Sequence, residues 1–180
     1  MTPFHMAAQH HLASICKLIL DHNEDKKLKT VDDENPLHYA AKGGSLEICL
    51  LIVDKVIDKN PQDYSGKTPL HQAATSGNQA IFKLIFNNIK DKNPQDHYGR
   101  TPMHLAIKSG NLEIFKWIFD NSKDKNTHDF HRITPMHLSA HSDNLEILQL
   151  IFNHIEDKHP KNFAAYTVIH LFILLLKEGT

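Results

Sequence analysis

Apolar residues recur along the chain in two alternating patterns. Short segments with small apolar residues, such as Leu70, Ala73 and Ala74, follow a Thr-Pro pair and end at Gly77. Longer segments, such as Ala80–Phe86, are apolar on more than one side. Threonine is a favourable N-cap, proline suits the first helical position, and glycine favours a C-terminal stop. The pattern therefore predicts pairs of short helices whose second member needs neighbours on two sides.

A polar segment separates each predicted helix pair from the next. Residues 87–99, for example, are rich in Asp, Asn, Lys and Pro and end where the next Thr-Pro pair begins at Thr101. This composition favours turns. We predict a hairpin-like loop that carries the chain from one helix pair to the next.

The Thr-Pro-x-His motif returns at a constant spacing of 33 residues, as from Thr68 to Thr101. It begins at Thr2, Thr68, Thr101 and Thr134, with variants at Asn35 and Thr167. A fixed period of this length marks an array in which neighbouring units bury one another's helices. We predict one domain over residues 1–180. Its six units span about 1–29, 30–62, 63–95, 96–128, 129–161 and 162–180, the first and last being incomplete.

The segments TPLHQAATSGN at Thr68–Asn78 and TPMHLAIKSGNLEI at Thr101–Ile114 resemble the ankyrin repeat consensus. The resemblance covers almost the whole chain. It implies an all-α ankyrin-repeat solenoid of stacked helix-turn-helix units joined by β-hairpin-like loops. It also implies that the motif histidines are structural and hydrogen-bond to nearby backbone. These are His5, His38, His71, His104, His137 and His170.

One departure from the resembled pattern is systematic. Ankyrin repeats typically place glycine after the second helix and an aliphatic residue three positions later. Here the glycine position holds Val56, Ile89 and Ile155, besides Asn23 and Ser122. The aliphatic position holds Lys26, Lys59, Lys92, Lys125 and Lys158. We expect Val56, Ile89 and Ile155 to supply the missing apolar contact by extending the second helix.

Composition narrows the compartment and the class of partner. Lys+Arg number 20 and Asp+Glu 21, so the basic excess typical of nucleic-acid binders is absent. No segment has the roughly 18 apolar residues of a membrane span, and Met1–Leu20 lacks a signal-peptide pattern. Cys16 and Cys49 occupy the same position in successive units, too far apart for a disulfide. We expect a cytoplasmic or nuclear protein with reduced core thiols and no nucleic-acid or membrane partner.

The 15 histidines raise the question of a metal or catalytic site. The motif histidines are too far apart along a stack to converge on one ion. The other nine contain no His-x-x-x-His pair, and the seven glycines form no phosphate-binding loop. No oriented nucleophile and base can be identified. We therefore predict no catalytic, cofactor-binding or metal-binding residues.

The positions that the repeat leaves free are the candidates for function. The resemblance implies that partner proteins bind the concave side, made by the hairpin tips and the inner face of the first helices. Aromatic residues and arginine at such positions are typical of interface hot spots. The alternative is that some aromatic tips only pack against the next hairpin. The predicted partner-binding residues are Tyr64, Lys67, His97, Tyr98, Arg100, Phe130, His131, Ile133, Tyr166, Lys108 and His141.

The predicted function is a protein–protein interaction scaffold. The alternative is a fragment of a longer ankyrin array that serves as the structural or targeting part of a larger protein. Residues 171–180 favour this alternative because they are apolar where arrays normally carry a polar cap. We expect a monomer, or association through this apolar C-terminal end.

The resemblance also suggests a modification site. Asn60, Asn93 and Asn126 match the position that an asparaginyl hydroxylase modifies in animal ankyrin hairpins. Their Lys-Asn-Pro and Lys-Asn-Thr flanks depart from the usual Val-Asn-Ala. This departure favours a turn-forming role for these asparagines.

Overall fold

The computed structural model describes residues 2–22, 29–56, 58–142 and 144–154. Ten α-helices form five consecutive pairs there, and the same ranges contain no strand. The pairs are α1 (Pro3–Gln9) with α2 (Ala13–His22), α3 (Pro36–Gly43) with α4 (Leu46–Val53), α5 (Pro69–Ser76) with α6 (Gln79–Asn88), α7 (Pro102–Lys108) with α8 (Leu112–Asn121), and α9 (Pro135–His141) with α10 (Leu145–His154). The predicted all-α class of helix-turn-helix units is confirmed.

The chain divides into two compact units, Met1–His97 and Tyr98–Thr180. In unit 1, the first helices α1, α3 and α5 pack in order, and so do the second helices α2, α4 and α6. In unit 2, α7 packs against both α8 and α9. The prediction of a single domain over residues 1–180, with its six boundaries, stays a prediction.

Each first helix begins at the predicted cap. Thr2, Asn35, Thr68, Thr101 and Thr134 have extended backbone and precede the proline at the first helical position. Each forms a reciprocal capping box with the histidine three residues later. Such a cap satisfies backbone N–H groups that have no partner within the helix. The motif therefore fixes where every first helix starts.

The core of each helix pair follows the apolar pattern. The paired alanines of α1, α3 and α5 are buried, as are the isoleucines and phenylalanines of α4, α6 and α8; examples are Ala73, Ala74, Ile81 and Phe82. The small side chains allow neighbouring first helices to approach closely. Large side chains then fill the space between second helices.

Cys16 and Cys49 are free thiols with no exposed surface, so their assignment as reduced core residues is confirmed. Burial raises the pKa of both thiols, that of Cys49 to about 12. Because the thiolate is the reactive form, neither cysteine is suited to nucleophilic chemistry.

The prediction that Val56 and Ile89 extend the second helices is wrong. Helix α4 ends at Val53 and α6 ends at Asn88. Ile89 has extended backbone with φ −112° and ψ 158°, yet only 8% of it is exposed. It therefore supplies the apolar contact from outside the helix, and Val56 is half-buried. Ile155 lies outside the described residues.

The lysines at the usual aliphatic position, Lys92 and Lys125, contact the last turns of α6 and α8. The Lys125 ammonium donates to the Phe119 carbonyl at 2.6 Å and lies 4.2 Å from the centre of the Phe119 ring. Lys92 makes the same two contacts with Phe86, its ammonium 4.6 Å from the ring centre. Carbonyls in the last helical turn lack intrahelical partners and attract cations. Each lysine thus caps a carbonyl that a longer helix would have used internally.

The loops between helix pairs are hairpin-like, as predicted. The Asp63 backbone N–H donates to the Lys67 carbonyl at 2.8 Å, and the Asp63 carboxylate accepts the N–H groups of Ser65 and Lys67 at 2.8 and 2.9 Å. Asp129 repeats this arrangement with His131 and Ile133.

Successive tips within a unit are joined by backbone hydrogen bonds. One runs from the His97 N–H to the Ser65 carbonyl at 3.0 Å, and another from the Phe130 N–H to the Tyr98 carbonyl at 2.9 Å. The hairpin tips are thereby held at a regular spacing.

Candidate protein-binding surface

The predicted tip residues of unit 1 are accessible to varying degrees. Tyr64 is 72% exposed, Lys67 is half-buried and His97 is exposed. Gly66 has φ +74°, and a Cβ atom there would lie 2.5 Å from the His97 ring. His97 therefore packs against the preceding tip, and Tyr64 projects into solvent.

The tips of unit 2 carry two exposed aromatic rings. Phe130 is 70% exposed and Tyr98 is 53% exposed. The Arg100 guanidinium lies 4.6 Å from the centre of the Tyr98 ring. A Cβ atom at Gly99 would lie 2.6 Å from Phe130, so that ring packs on the backbone of the preceding tip. The stacking alternative is thus supported for one edge of Phe130, but most of its ring remains available to a partner.

A groove of about 320 Å³ lies beside these tips in unit 2. It is lined by residues from the two hairpins and from α7 and α9: Arg100, His104, Leu105, Lys108, Asp129, Ile133, Leu138, His141 and Ser142. Four predicted partner-binding residues therefore meet at one cavity, namely Arg100, Lys108, Ile133 and His141. We call this cavity the unit 2 groove.

The other predicted residues do not line the groove. Tyr64, Lys67 and His97 belong to unit 1. His131 is exposed at the tip that carries Phe130, and Tyr166 lies outside the described residues.

Sequence reasoning missed Leu105 and Leu138, which form the apolar side of the groove. Both were overlooked because leucine in a short amphipathic helix suggests core. A signal was nevertheless present, since the same repeat position holds Tyr39 and Gln72 in the preceding repeats. A position that holds tyrosine or glutamine in other repeats is not confined to the apolar core.

The motif histidines have a structural role, as the resemblance implied. Nδ1 of His38 accepts the Asn35 backbone N–H at 3.1 Å, and its Nε2 bonds the Lys67 carbonyl at 3.1 Å. His5 and His104 make the corresponding bonds, with the Glu34 and Ile133 carbonyls as acceptors. A ring that accepts at Nδ1 and donates from Nε2 is the neutral tautomer.

Burial holds the pKa of these rings below its ordinary value. The pKa of His5 falls to about 4, and those of His38 and His137 shift in the same direction. In each case desolvation is the main cause, because it penalises the charged imidazolium. His5 and His38 connect successive repeats through their Nε2 atoms, and these buried rings are not available to an external ligand.

His137 and His141 have the spacing that places two histidines on one face of a helix. However, His137 is 5% exposed and its Nδ1 accepts the Thr134 N–H at 3.2 Å. Its Nε2 is buried and has no hydrogen-bond partner among the described residues. Across those residues, no three His, Cys, Asp or Glu side chains are grouped to hold a metal ion.

A second cavity, of about 510 Å³, lies among the polar turns of unit 1. Its lining includes Asp58, Asn60 and Asp91 and none of the predicted partner-binding residues. The Asp58 carboxylate accepts the Asn60 N–H at 3.0 Å, and Asp91 accepts the Asn93 N–H at the same distance. These contacts support the turn-forming role of the asparagines.

Within the part of the chain that the structure describes, every helix is too short or too polar to cross a membrane.

Comparison with known proteins agrees with the fold. The family model described as "Ankyrin repeats (3 copies)" matches residues 4–96, 56–129 and 84–162, together well over half of the chain. No curated protein matches the chain significantly. Ankyrin repeats are generally protein-interaction modules and typically non-enzymatic. The matched segments, the capped helix pairs and the hairpin loops together show that this chain belongs to the ankyrin repeat family.

Proposed function

We propose that this chain is a protein-interaction module that binds its partner through the hairpin tips and first helices, including the unit 2 groove. The observation that supports this most is the meeting of Arg100, Lys108, Ile133 and His141 at one cavity. None of these four side chains belongs to the recurring Thr-Pro-x-His motif. Exposed aromatic rings beside the cavity supply the apolar contact area typical of hot spots.

The proposal has several further parts. The chain carries six repeats, the sixth lying outside the described residues, and it acts as a scaffold or adaptor in the cytoplasm or nucleus. It catalyses no reaction and binds neither nucleic acid nor membrane. As a free protein it is a monomer, with association through the apolar residues 171–180 as the alternative.

A pull-down with a double variant tests the proposed surface. We expect Tyr98→Ala with Phe130→Ala to abolish capture of the partner, because both rings are largely exposed and can contact it directly. The matched control is Leu145→Ala, since Leu145 is 52% exposed on the second helix α10 of the same unit. Helicity should be unchanged in both variants.

Two outcomes contradict this proposal. Full capture by the double variant places the binding surface elsewhere. Lost helicity in that variant shows that the rings serve stacking between hairpins.

One observation favours the alternative function, a segment of a longer ankyrin array. Ile15 on α2 is 46% exposed, whereas Ile48 and Ile81 at the same repeat position are fully buried. In the later repeats of unit 1, α4 packs against α2 and α6 packs against α4, so each has a preceding second helix as a neighbour. An additional repeat packed on α2 would cover Ile15 in the same way. The complete transcript distinguishes the two functions, because a longer array requires further repeats in frame.

A further inference from the structure

We propose that the unit 2 groove recognises an acidic peptide segment that also carries an aliphatic side chain. This inference rests on the proposed function and specifies the chemistry of the partner.

The groove is lined by basic side chains. Arg100, Lys108 and His141 line the cavity, and His131 and Arg132 are exposed on the adjoining tip. Neither Lys108 nor His141 forms an ion pair with another described residue. Lys108 is therefore a cation available to a partner carboxylate, and His141 is available as a hydrogen-bond donor.

Acidic residues are correspondingly rare on this surface. The segments 98–112 and 130–142, which form the tips and first helices of unit 2, contain no Asp or Glu. The next acidic residues along the chain are Glu113 and Asp143, after each first helix has ended. Asp129 lines the groove but is buried, and one of its oxygens accepts two backbone N–H groups. The groove is thus complementary in charge to an anionic segment.

The same cavity is also lined by apolar side chains. Leu105 is 7% exposed, and Ile133 and Leu138 are half-buried. A volume of about 320 Å³ is at the lower end of the range in which proteins bind side chains and small ligands. Burying an aliphatic side chain against Leu105, Ile133 and Leu138 would stabilise binding, and the surrounding cations would select its acidic neighbours.

The corresponding positions in unit 1 differ in charge and in apolar character. Gln72 stands in place of Leu138, and Thr75 in place of His141. The tip of its second repeat is acidic, with Asp32, Asp33 and Glu34 in sequence. The proposed preference therefore belongs to unit 2 alone, and unit 1 provides matched control positions within the same chain.

The apolar side favours a peptide over a nucleic acid. Recognition of single-stranded nucleic acid combines a basic path with aromatic stacking on successive bases. The unit 2 groove is lined by leucine and isoleucine, and the two exposed aromatic rings of the tips do not line it. Nucleic-acid binding is therefore an outcome that the test must exclude.

A random-peptide display library, selected on the complete chain, is the direct test. We expect the enriched peptides to place Asp or Glu beside Leu, Ile or Val. A fluorescent peptide of the enriched sequence should bind about tenfold more tightly than its analogue with Gln and Asn in place of Glu and Asp. Added salt should weaken this binding, because the cations are at the surface.

Variants assign the binding to the groove. Lys108→Glu should weaken binding of that peptide about tenfold, and Lys42→Glu, at the same repeat position in unit 1, should leave it unchanged. Leu138→Gln and His141→Thr introduce residues that the repeat already carries in unit 1, so they should fold normally and still bind more weakly. Thermal melting checks that each variant is folded.

Four results overturn this inference: selection of neutral or basic peptides, no enrichment at all, equal loss of binding in Lys42→Glu and Lys108→Glu, or tighter binding of a labelled single-stranded oligonucleotide. The first three do not decide the proposed function, and the fourth contradicts only its statement that the chain binds no nucleic acid. The proposed binding surface is decided separately by partner capture with the Tyr98 and Phe130 double variant. Capture that depends on the tips, together with no acidic preference, would refute the groove chemistry alone.

Discussion

At the scale of single residues, the most consequential groups are the buried neutral histidines. His5, His38 and His104 each connect the cap of their own helix to a backbone carbonyl in the next hairpin. Protonation would remove the acceptor at Nδ1 and bury a charge. Protonation of the motif histidines would therefore destabilise the folded repeat array.

This coupling predicts loss of stability on acidification. The folded-state pKa of His5 is about 4, below the unfolded value of about 6.5, so only the unfolded state takes up a proton between them. The free energy of unfolding is therefore highest above about pH 6.5 and decreases as the pH falls toward about 4. We therefore expect the free energy of unfolding to be lower at about pH 5 than at about pH 7.5. Urea denaturation at about pH 7.5 and about pH 5 measures this.

His38 and His137 shift in the same direction and should add to the effect. Equal stability at the two pH values would show that the buried rings are not held neutral.

At the scale of elements, the lysine position shows what the sequence could and could not predict. The departure from the family pattern at Lys92 and Lys125 is visible in the sequence, but its consequence was predicted wrongly. The apolar residue at Ile89 suggested a longer helix. The observed helix end involves a lysine ammonium that contacts the carbonyl and the ring of a phenylalanine six residues earlier. Neither helix propensity nor apolar periodicity describes such a contact.

A substitution at this position tests the helix cap. Lys125→Met retains the length and apolar contact of the side chain but removes its ammonium. We expect a loss of about 1 kcal/mol in the free energy of unfolding, because the Phe119 carbonyl loses a charged donor. The control is Lys123→Met, at an exposed position of the same loop. If both variants lose the same stability, the cap contributes nothing measurable.

At the scale of the whole molecule, scaffold and function occupy different positions of the same repeat. The helix pairs, their caps, the hairpin loops and the reduced cysteines follow from residue types at fixed spacing, so they could be predicted. The groove could be predicted only in part. Arg100, Lys108, Ile133 and His141 were selected as candidates, but their meeting at one cavity depends on how α7 and α9 pack. The apolar side at Leu105 and Leu138 required the three-dimensional arrangement.

The central claim is that a partner binds the tips and first helices and leaves the second helices free. Backbone amide chemical shifts of the isotope-labelled chain, recorded with and without the captured partner, test it most directly. The account predicts that the largest changes lie at Tyr98, Arg100, Lys108, Phe130 and His141. Largest changes on α8 and α10, with the tips unaffected, would contradict it.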